Sequence, residues 1–93
     1  MKEITLFYLE SCPYCVKGFR ALEELYAKKP AYRAVPITKI EESHEPGLAD
    51  RYDYYAVPSL FVGGEKRFEA RLFMSYEEIR DGFEKALESA LAE

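Results

Sequence analysis

The sequence predicts an α/β domain in which helices flank a mixed four-stranded sheet, with the element order β-α-β-α-β-β-α. Three observations indicate this class: a continuous apolar run at residues 4–9, a helical spacing of apolar residues from Pro13, and a Gly63-Gly64 pair between two strand-like runs. A parallel β-α-β unit with a right-handed crossover, an antiparallel hairpin and a closing helix together account for all three.

Length and charge limit the classes of function. A chain of 93 residues is expected to form one domain over residues 1–93. Thirteen basic and seventeen acidic residues give a net charge of -4, and the basic residues are scattered, which argues against nucleic acid or an anionic membrane as partner. No apolar run has the length of a signal peptide or membrane span, so we expect a cytoplasmic monomer.

The first two predicted elements lie on either side of residues 10–12. Residues 4–9 are short enough for a strand and apolar enough to be buried on both faces, so they are expected to form the central strand. A helix is expected from Pro13 until Lys28, Lys29 and Pro30 supply a basic last turn and a stop. The predicted core-facing stripe of this helix comprises Cys15, Phe19, Leu22 and Tyr26, and it is flanked by Val16 and Leu25.

The middle of the chain predicts a strand, a loop and a short helix. Residues 32–40 have a strand-like pattern, and Pro36 should place that strand at a sheet edge because proline cannot donate a hydrogen bond. A polar loop is expected over residues 41–46. The helix is expected to start at Pro46 and to end near Asp53.

The last third predicts a hairpin and a helix. Residues 59–62 and 67–73 are the predicted strands around the Gly63-Gly64 turn. Ser75 is the expected N-cap of the last helix, with acidic residues in its positive first turn. The residues expected to face the core are Ile79, Phe83, Ala86, Leu87 and Ala90.

The segment Cys12-Pro13-Tyr14-Cys15 carries the strongest indication of chemistry. Two cysteines at this spacing, the first at a helix N-cap and the second one turn further, can close a disulfide, and Pro13 fits the first helical position. The helix N-terminus favours the thiolate of Cys12, which is therefore the expected nucleophile. Cys15, on the core stripe, should be less exposed and resolve the mixed disulfide.

Cys12-Pro13-Tyr14-Cys15 after a buried strand, together with Ala56-Val57-Pro58 before another, resembles the glutaredoxins of the thioredoxin-fold superfamily, in particular a small bacterial glutaredoxin-like subgroup. The resemblance implies a thiol-disulfide oxidoreductase that reduces protein disulfides or glutathione mixed disulfides. It also implies a cis Val57-Pro58 bond facing the cysteines, and pairing of the Val57 backbone with the substrate. Tyr14, inside the motif, must lie near any substrate sulfur.

Two positions depart from the family pattern of glutathione binding. Leu9 stands where many glutaredoxins have a lysine, and Leu72-Phe73-Met74-Ser75 stands where they have a Gly-Gly-x-Asp element. Glutathione and a thioredoxin reductase therefore both remain as electron sources, with no bound cofactor expected. The expected partners are disulfide-containing proteins, glutathione, or both.

Other interpretations of the cysteines are an inert pair of thiols and a metal site. A closed zinc site needs four ligands, whereas the chain offers two cysteines and one histidine, so no metal site is predicted within one chain. An iron-sulfur cluster shared between two chains, or a redox-sensing module, is the alternative function. His44 lies among Glu41, Glu42 and Glu45 and is expected to be a solvated loop residue.

Overall fold

The computed structural model describes residues 1–93 and has four strands, three α-helices and one 3-10 helix. Their order agrees with the predicted β-α-β-α-β-β-α, with the 3-10 helix as an addition. In chain order they are β1 (Ile4–Tyr8), α1 (Pro13–Lys28), the 3-10 helix (Pro30–Ala34), β2 (Ile37–Glu41), α2 (Pro46–Ala49), β3 (Ser59–Val62), β4 (Glu65–Glu69) and α3 (Tyr76–Ala92).

The sheet has the strand order β2-β1-β3-β4. Strand β1 pairs in parallel with β2 and antiparallel with β3, and β3 pairs antiparallel with β4. The mixed sheet confirms the predicted fold class. The predicted central position of β1 and the predicted edge position of β2 are also confirmed, since β2 has a neighbour on one side only.

Strand β1 separates two apolar clusters. On one side, Leu6 belongs to a cluster of sixteen buried residues that includes the inner faces of α1 and α3. On the other side, Phe7 packs with Ile40 and Phe61 beneath α2 and the segment that follows it. Because successive side chains of a strand point to opposite faces, β1 needs apolar residues on both faces, and all of its residues except Thr5 are apolar or aromatic.

Two glycines leave room for aromatic rings, Gly18 where α1 meets α3 and Gly82 where α3 meets β4. A Cβ atom added at Gly18 would lie 2.7 Å from the Cζ atom of Phe83. Gly82 of α3 lies against the ring of Phe68, and that ring meets Phe83 edge-on with a centroid distance of 5.5 Å. These contacts fix the position of α1, and therefore of the cysteine motif at its start.

Two predicted elements begin late or end early. The strand expected over residues 32–40 begins at Ile37, because the Pro30–Ala34 segment forms a 3-10 helix that buries Tyr32. The Tyr32 hydroxyl donates to the carboxylate of Glu84 at 2.8 Å. Helix α2 ends at Ala49 and does not reach Asp53. Val16, expected beside the core stripe, is 52% exposed.

Strand β4 covers residues 65–69 and not the predicted 67–73. Gly63 and Gly64 have φ values of 57° and 88°, so a two-residue turn sets Glu65 directly opposite Val62. A bulge follows, because Leu60 is opposite Phe68 whereas Phe61 is opposite Lys66, which leaves Arg67 as the extra residue. Beyond Glu69 the chain leaves the sheet, although Leu72 and Phe73 had suggested further strand.

Helix α3 agrees with the sequence in its start and in its buried face. The Ser75 hydroxyl accepts a hydrogen bond from the Glu78 backbone N–H, and the Glu78 carboxylate accepts one from the Ser75 N–H. All five residues predicted to face the core are buried. No helix of the chain combines the length and the apolar character that crossing a membrane requires.

Candidate active site

The cysteine motif lies where the chain turns from β1 into α1. Cys12 is the N-cap with extended backbone angles, and Pro13 is the first helical residue, as predicted. The carbonyl oxygen of Cys12 accepts hydrogen bonds from the backbone N–H groups of Cys15 and Val16 at 3.0 and 3.1 Å. The first turn of α1 therefore holds both cysteines on one rigid piece of backbone.

The two thiols differ in their surroundings. Cys12 is partly exposed, and its Sγ lies 3.8 Å from the carbonyl oxygen of Val57, to which the thiol can donate. Cys15 is 2% exposed, and its Sγ accepts a long hydrogen bond of 3.5 Å from the backbone N–H of Leu9. Cys12 is therefore the more accessible of the two thiols, and the predicted difference in exposure is confirmed.

Burial raises the pKa of the Cys15 thiol to about 12. The Leu9 N–H opposes this shift, while the neighbouring Cys12 and Glu42 add to it. Cys15 is consequently a neutral thiol at physiological pH. It becomes a nucleophile only when its proton has somewhere to go, such as a departing sulfur beside it.

This shift predicts a loss of stability at alkaline pH. The ordinary thiol pKa of the unfolded chain is about 8.5, so the unfolded state gives up the Cys15 proton before the folded state does. The stabilisation that the protonated Cys15 thiol gives the folded state is therefore complete below about pH 8.5 and is lost as the pH rises towards 12. In urea titrations of the reduced protein between about pH 8.5 and 10.5, the free energy of unfolding should fall more steeply for wild type than for Cys15→Ala, by up to about 1.4 kcal/mol per pH unit. Parallel profiles would contradict the raised pKa.

The segment before β3 faces the motif from the other side. The Val57-Pro58 peptide bond is cis, as the resemblance implied, and Pro58 is buried. The backbone of Ala56, which precedes this bond by one residue, is held at both its carbonyl and its N–H. The Ala56 carbonyl accepts from the Ser59 hydroxyl at 2.6 Å, and its N–H donates to Glu69 Oε2 at 2.8 Å.

Tyr14 joins the motif to the segment between β4 and α3. Its hydroxyl accepts a hydrogen bond from the Phe73 N–H at 2.7 Å, and the Lys17 ammonium lies 5.6 Å from its ring centre. Phe73 has a φ of 65° and is 92% exposed, and Leu72 is 76% exposed. A cleft of about 90 Å³ beside them is lined by Tyr14, Ala56, Val57, Ala70, Arg71 and Leu72.

His44 lies outside this arrangement. It is exposed, as expected of a loop residue, and its ring comes within 4.8 Å of carboxylate oxygens of Glu10 and Glu41. The Glu41 carboxylate is already occupied, because it accepts from the N–H and hydroxyl of Ser43 and from the Glu10 N–H. Neither cysteine belongs to this group of side chains.

The structure thus brings the predicted site residues together: Cys12, Pro13, Tyr14 and Cys15 on the start of α1, and Val57 and Pro58 across from them. The sequence did not identify Glu69 or Ser59, whose hydrogen bonds hold the backbone beside Val57. No local pattern could have identified Glu69, because a glutamate in an exposed strand is ordinary and its partners lie 13 and 14 residues away.

Three solved structures share this fold at low sequence identity. A malarial protein gives a TM-score of 0.62 at 13% identity, covering 94% of this chain and 98% of that one. A point variant of thioredoxin from Halobacterium salinarum gives 0.58 at 23%, covering 92% and 74%. Oxidized glutaredoxin 2 from Chlamydomonas reinhardtii gives 0.50 at 22%, covering 99% and 85%.

Sequence comparison assigns the family. Comparison with curated protein sequences gives no match. The glutaredoxin family model, however, matches residues 4–67, about two thirds of the chain, which include both the cysteine motif and the cis-proline segment. Taken with the thioredoxin fold, this match shows that the chain belongs to the glutaredoxin family of thiol-disulfide oxidoreductases.

Proposed function

We propose that the chain reduces disulfides through Cys12 and Cys15, and that protein disulfides are its main substrates. The observation that carries the reaction is the pairing of an accessible Cys12 with a Cys15 that is 2% exposed, one helical turn apart and opposite the Val57 carbonyl. An accessible sulfur can attack a substrate, and a buried neighbour can then displace that substrate without competing for the first attack.

The reaction proceeds in two displacements. The Cys12 thiolate attacks one sulfur of the substrate disulfide, a Cys12-substrate disulfide forms, and the other substrate sulfur leaves as a thiolate that takes up a proton. Cys15 then attacks Cys12 Sγ, and its proton passes to the second departing substrate sulfur. The substrate gains two electrons and two protons, and a Cys12-Cys15 disulfide remains for an external thiol or a reductase to reduce.

Three features favour protein disulfides over glutathione. The start of α3, next to the site, is already closed by the Ser75 and Glu78 capping box and carries Glu77 as well, so it is poorly suited to an anionic tripeptide. Exposed Leu72 and Phe73 instead offer apolar contact to a protein surface. Leu9, at the position where many glutaredoxins have a lysine for glutathione, also favours a substrate other than glutathione.

An iron-sulfur cluster fits the motif poorly. Cys15 is buried and protonated, so each chain supplies only Cys12 as an accessible ligand, and a cluster would need a second chain and external thiols to complete its set of thiolates. We therefore propose a cytoplasmic monomer that works with no bound cofactor. It would exchange electrons with disulfide-containing proteins and with glutathione or a thioredoxin reductase.

The test compares substrates and electron donors in one assay. NADPH oxidation is followed with a protein disulfide and with a glutathionylated peptide, each supplied either with glutathione and glutathione reductase or with thioredoxin reductase. We expect kcat/KM for the protein disulfide to exceed that for the glutathionylated peptide by about tenfold or more, a difference of about 1.4 kcal/mol. A preference for the glutathionylated peptide would reverse the substrate proposal, and inactivity with every pair would refute the function.

A further inference from the structure

The Glu69 carboxylate, at the end of β4, holds the backbone that precedes the cis-proline. Its Oε2 accepts hydrogen bonds from the N–H groups of both Tyr55 and Ala56, the second at 2.8 Å. Its Oε1 accepts from the Lys66 ammonium at 2.9 Å. Although burial acts to raise the pKa of Glu69, these donors lower it overall, so the group is a carboxylate under physiological conditions.

The contacts of Glu69 lie immediately before the residue that faces Cys12. Ala56 is held on both sides, since its carbonyl accepts from the Ser59 hydroxyl at 2.6 Å. Pro58 is held by the residue that follows β4, because its carbonyl accepts a hydrogen bond from the Ala70 N–H at 3.1 Å. Between these fixed points, the Val57 carbonyl meets only the Cys12 thiol, at 3.8 Å.

We propose that Glu69 is a positioning residue for catalysis: by fixing the Tyr55 and Ala56 peptides it sets the Val57 backbone at the distance and angle from Cys12 that a bound disulfide requires. The inference rests on the proposed function, because it assumes that substrate backbone pairs beside Val57. Glu69 acts by holding the backbone of the segment and does not itself contact the substrate.

The physical basis is the strength and placement of these hydrogen bonds. Bonds to a carboxylate are about twice as strong as those between neutral groups, and two of them converge on one oxygen. The segment between Ala49 and Ser59 has no regular structure apart from turns. Tyr54 is anchored by its ring on Phe7 and by its hydroxyl on Glu42, but the backbone N–H groups of Tyr55 and Ala56 are held by Glu69. Without Glu69 the Tyr55 and Ala56 peptides lose these partners, and Val57 has to be ordered anew each time a substrate binds.

A set of β4 variants separates this role from a simple ion pair. Glu69→Ala removes both hydrogen bonds, and Glu69→Gln keeps an oxygen that can accept them. Lys66→Met removes only the ion pair, and Glu65→Ala removes a carboxylate from the same strand that pairs with Arg67 and does not touch the segment. KM and kcat are measured with a peptide disulfide, and Cys12 reactivity is measured by alkylation with iodoacetamide.

We expect Glu69→Ala to raise KM by about tenfold or more, with a smaller change in kcat, because binding has to order the segment. Alkylation of Cys12 needs no backbone pairing and should stay within about twofold of wild type. Glu69→Gln should show only a small part of this rise in KM, and Lys66→Met and Glu65→Ala should resemble wild type. An unchanged KM in Glu69→Ala, or an equal rise in Lys66→Met, would overturn the proposal.

Amide hydrogen exchange followed by NMR tests the structural part without any substrate. In Glu69→Ala, exchange at Tyr55 and Ala56 should accelerate by about tenfold or more, while Glu65→Ala should leave it unchanged. Unchanged exchange in Glu69→Ala would also overturn the inference. If wild type reduces no disulfide but exchange accelerates as expected, the proposed function fails while the hold of Glu69 on the segment stands.

Discussion

A Cys12→Ser variant is expected to lose disulfide reduction by a factor of about a thousand or more with every substrate and every electron donor. The serine hydroxyl is somewhat smaller than the thiol, stays protonated and is a far weaker nucleophile towards sulfur. Cys15 cannot replace it, because it is 2% exposed and burial raises its pKa to about 12. Steady-state NADPH oxidation with each substrate measures the loss.

Cys15→Ser is the matched variant for this experiment, since it makes the same atomic change one helical turn away. It should keep the reduction of glutathione mixed disulfides, which an external thiol can complete, and lose the reduction of protein disulfides, which needs the second thiol. Full activity of Cys12→Ser would exclude the mechanism. Equal inactivity of both variants with glutathione substrates would instead indicate obligatory dithiol chemistry of the thioredoxin kind.

Phe83→Ala is expected to lower the free energy of unfolding by about 3–5 kcal/mol, the usual cost of removing a buried phenylalanine ring. Phe83 is 1% exposed and fills the space between the backbone of α1 at Gly18 and the ring of Phe68. Its removal leaves a cavity that the glycine on the facing helix cannot fill. Urea unfolding followed by circular dichroism gives the difference.

Phe73→Ala is the control, because it deletes the same ring at a position that is 92% exposed. Its effect on the free energy of unfolding should lie within about 0.5 kcal/mol of zero. If the two variants were destabilised equally, the ring of Phe73 would have to be packed in solution. A small loss in Phe83→Ala would show that α1 and α3 can close over the cavity.

Local sequence patterns predicted the two long helices, α1 and α3, better than the ends of the strands or of the short α2. The spacing from Ile79 to Ala90 and the Ser75 cap are local properties, and both are confirmed. The predicted continuation of β4 through Leu72 and Phe73 was wrong, because apolar character alone does not distinguish a strand from an exposed segment. The actual end depends on pairing with β3, a relation between segments that a local pattern does not contain.

In the candidate site, too, the residues that are close in sequence were predicted and the contacts between distant segments were not. Cys12, Pro13, Tyr14 and Cys15 lie within one helical turn, so their spacing alone predicted their arrangement. Val57 and Pro58 came from the family resemblance and not from periodicity. The hydrogen bonds of Glu69 could not be predicted from either source, because they depend on which side of β4 that residue occupies.

The side of β4 that Glu69 occupies is decided at the bulge, where Arg67 is the extra residue. If the strand ran regularly from the Gly63-Gly64 turn, Arg67 would take the place opposite Leu60 on the helix-facing side, and Phe68 and Glu69 would exchange faces. A conformer that moved the carboxylate away from Tyr55 and Ala56 would therefore also take Phe68 out of the core and turn a guanidinium towards it. The hydrophobic core thus protects the geometry of the cysteine site against slippage of a strand that carries no catalytic residue.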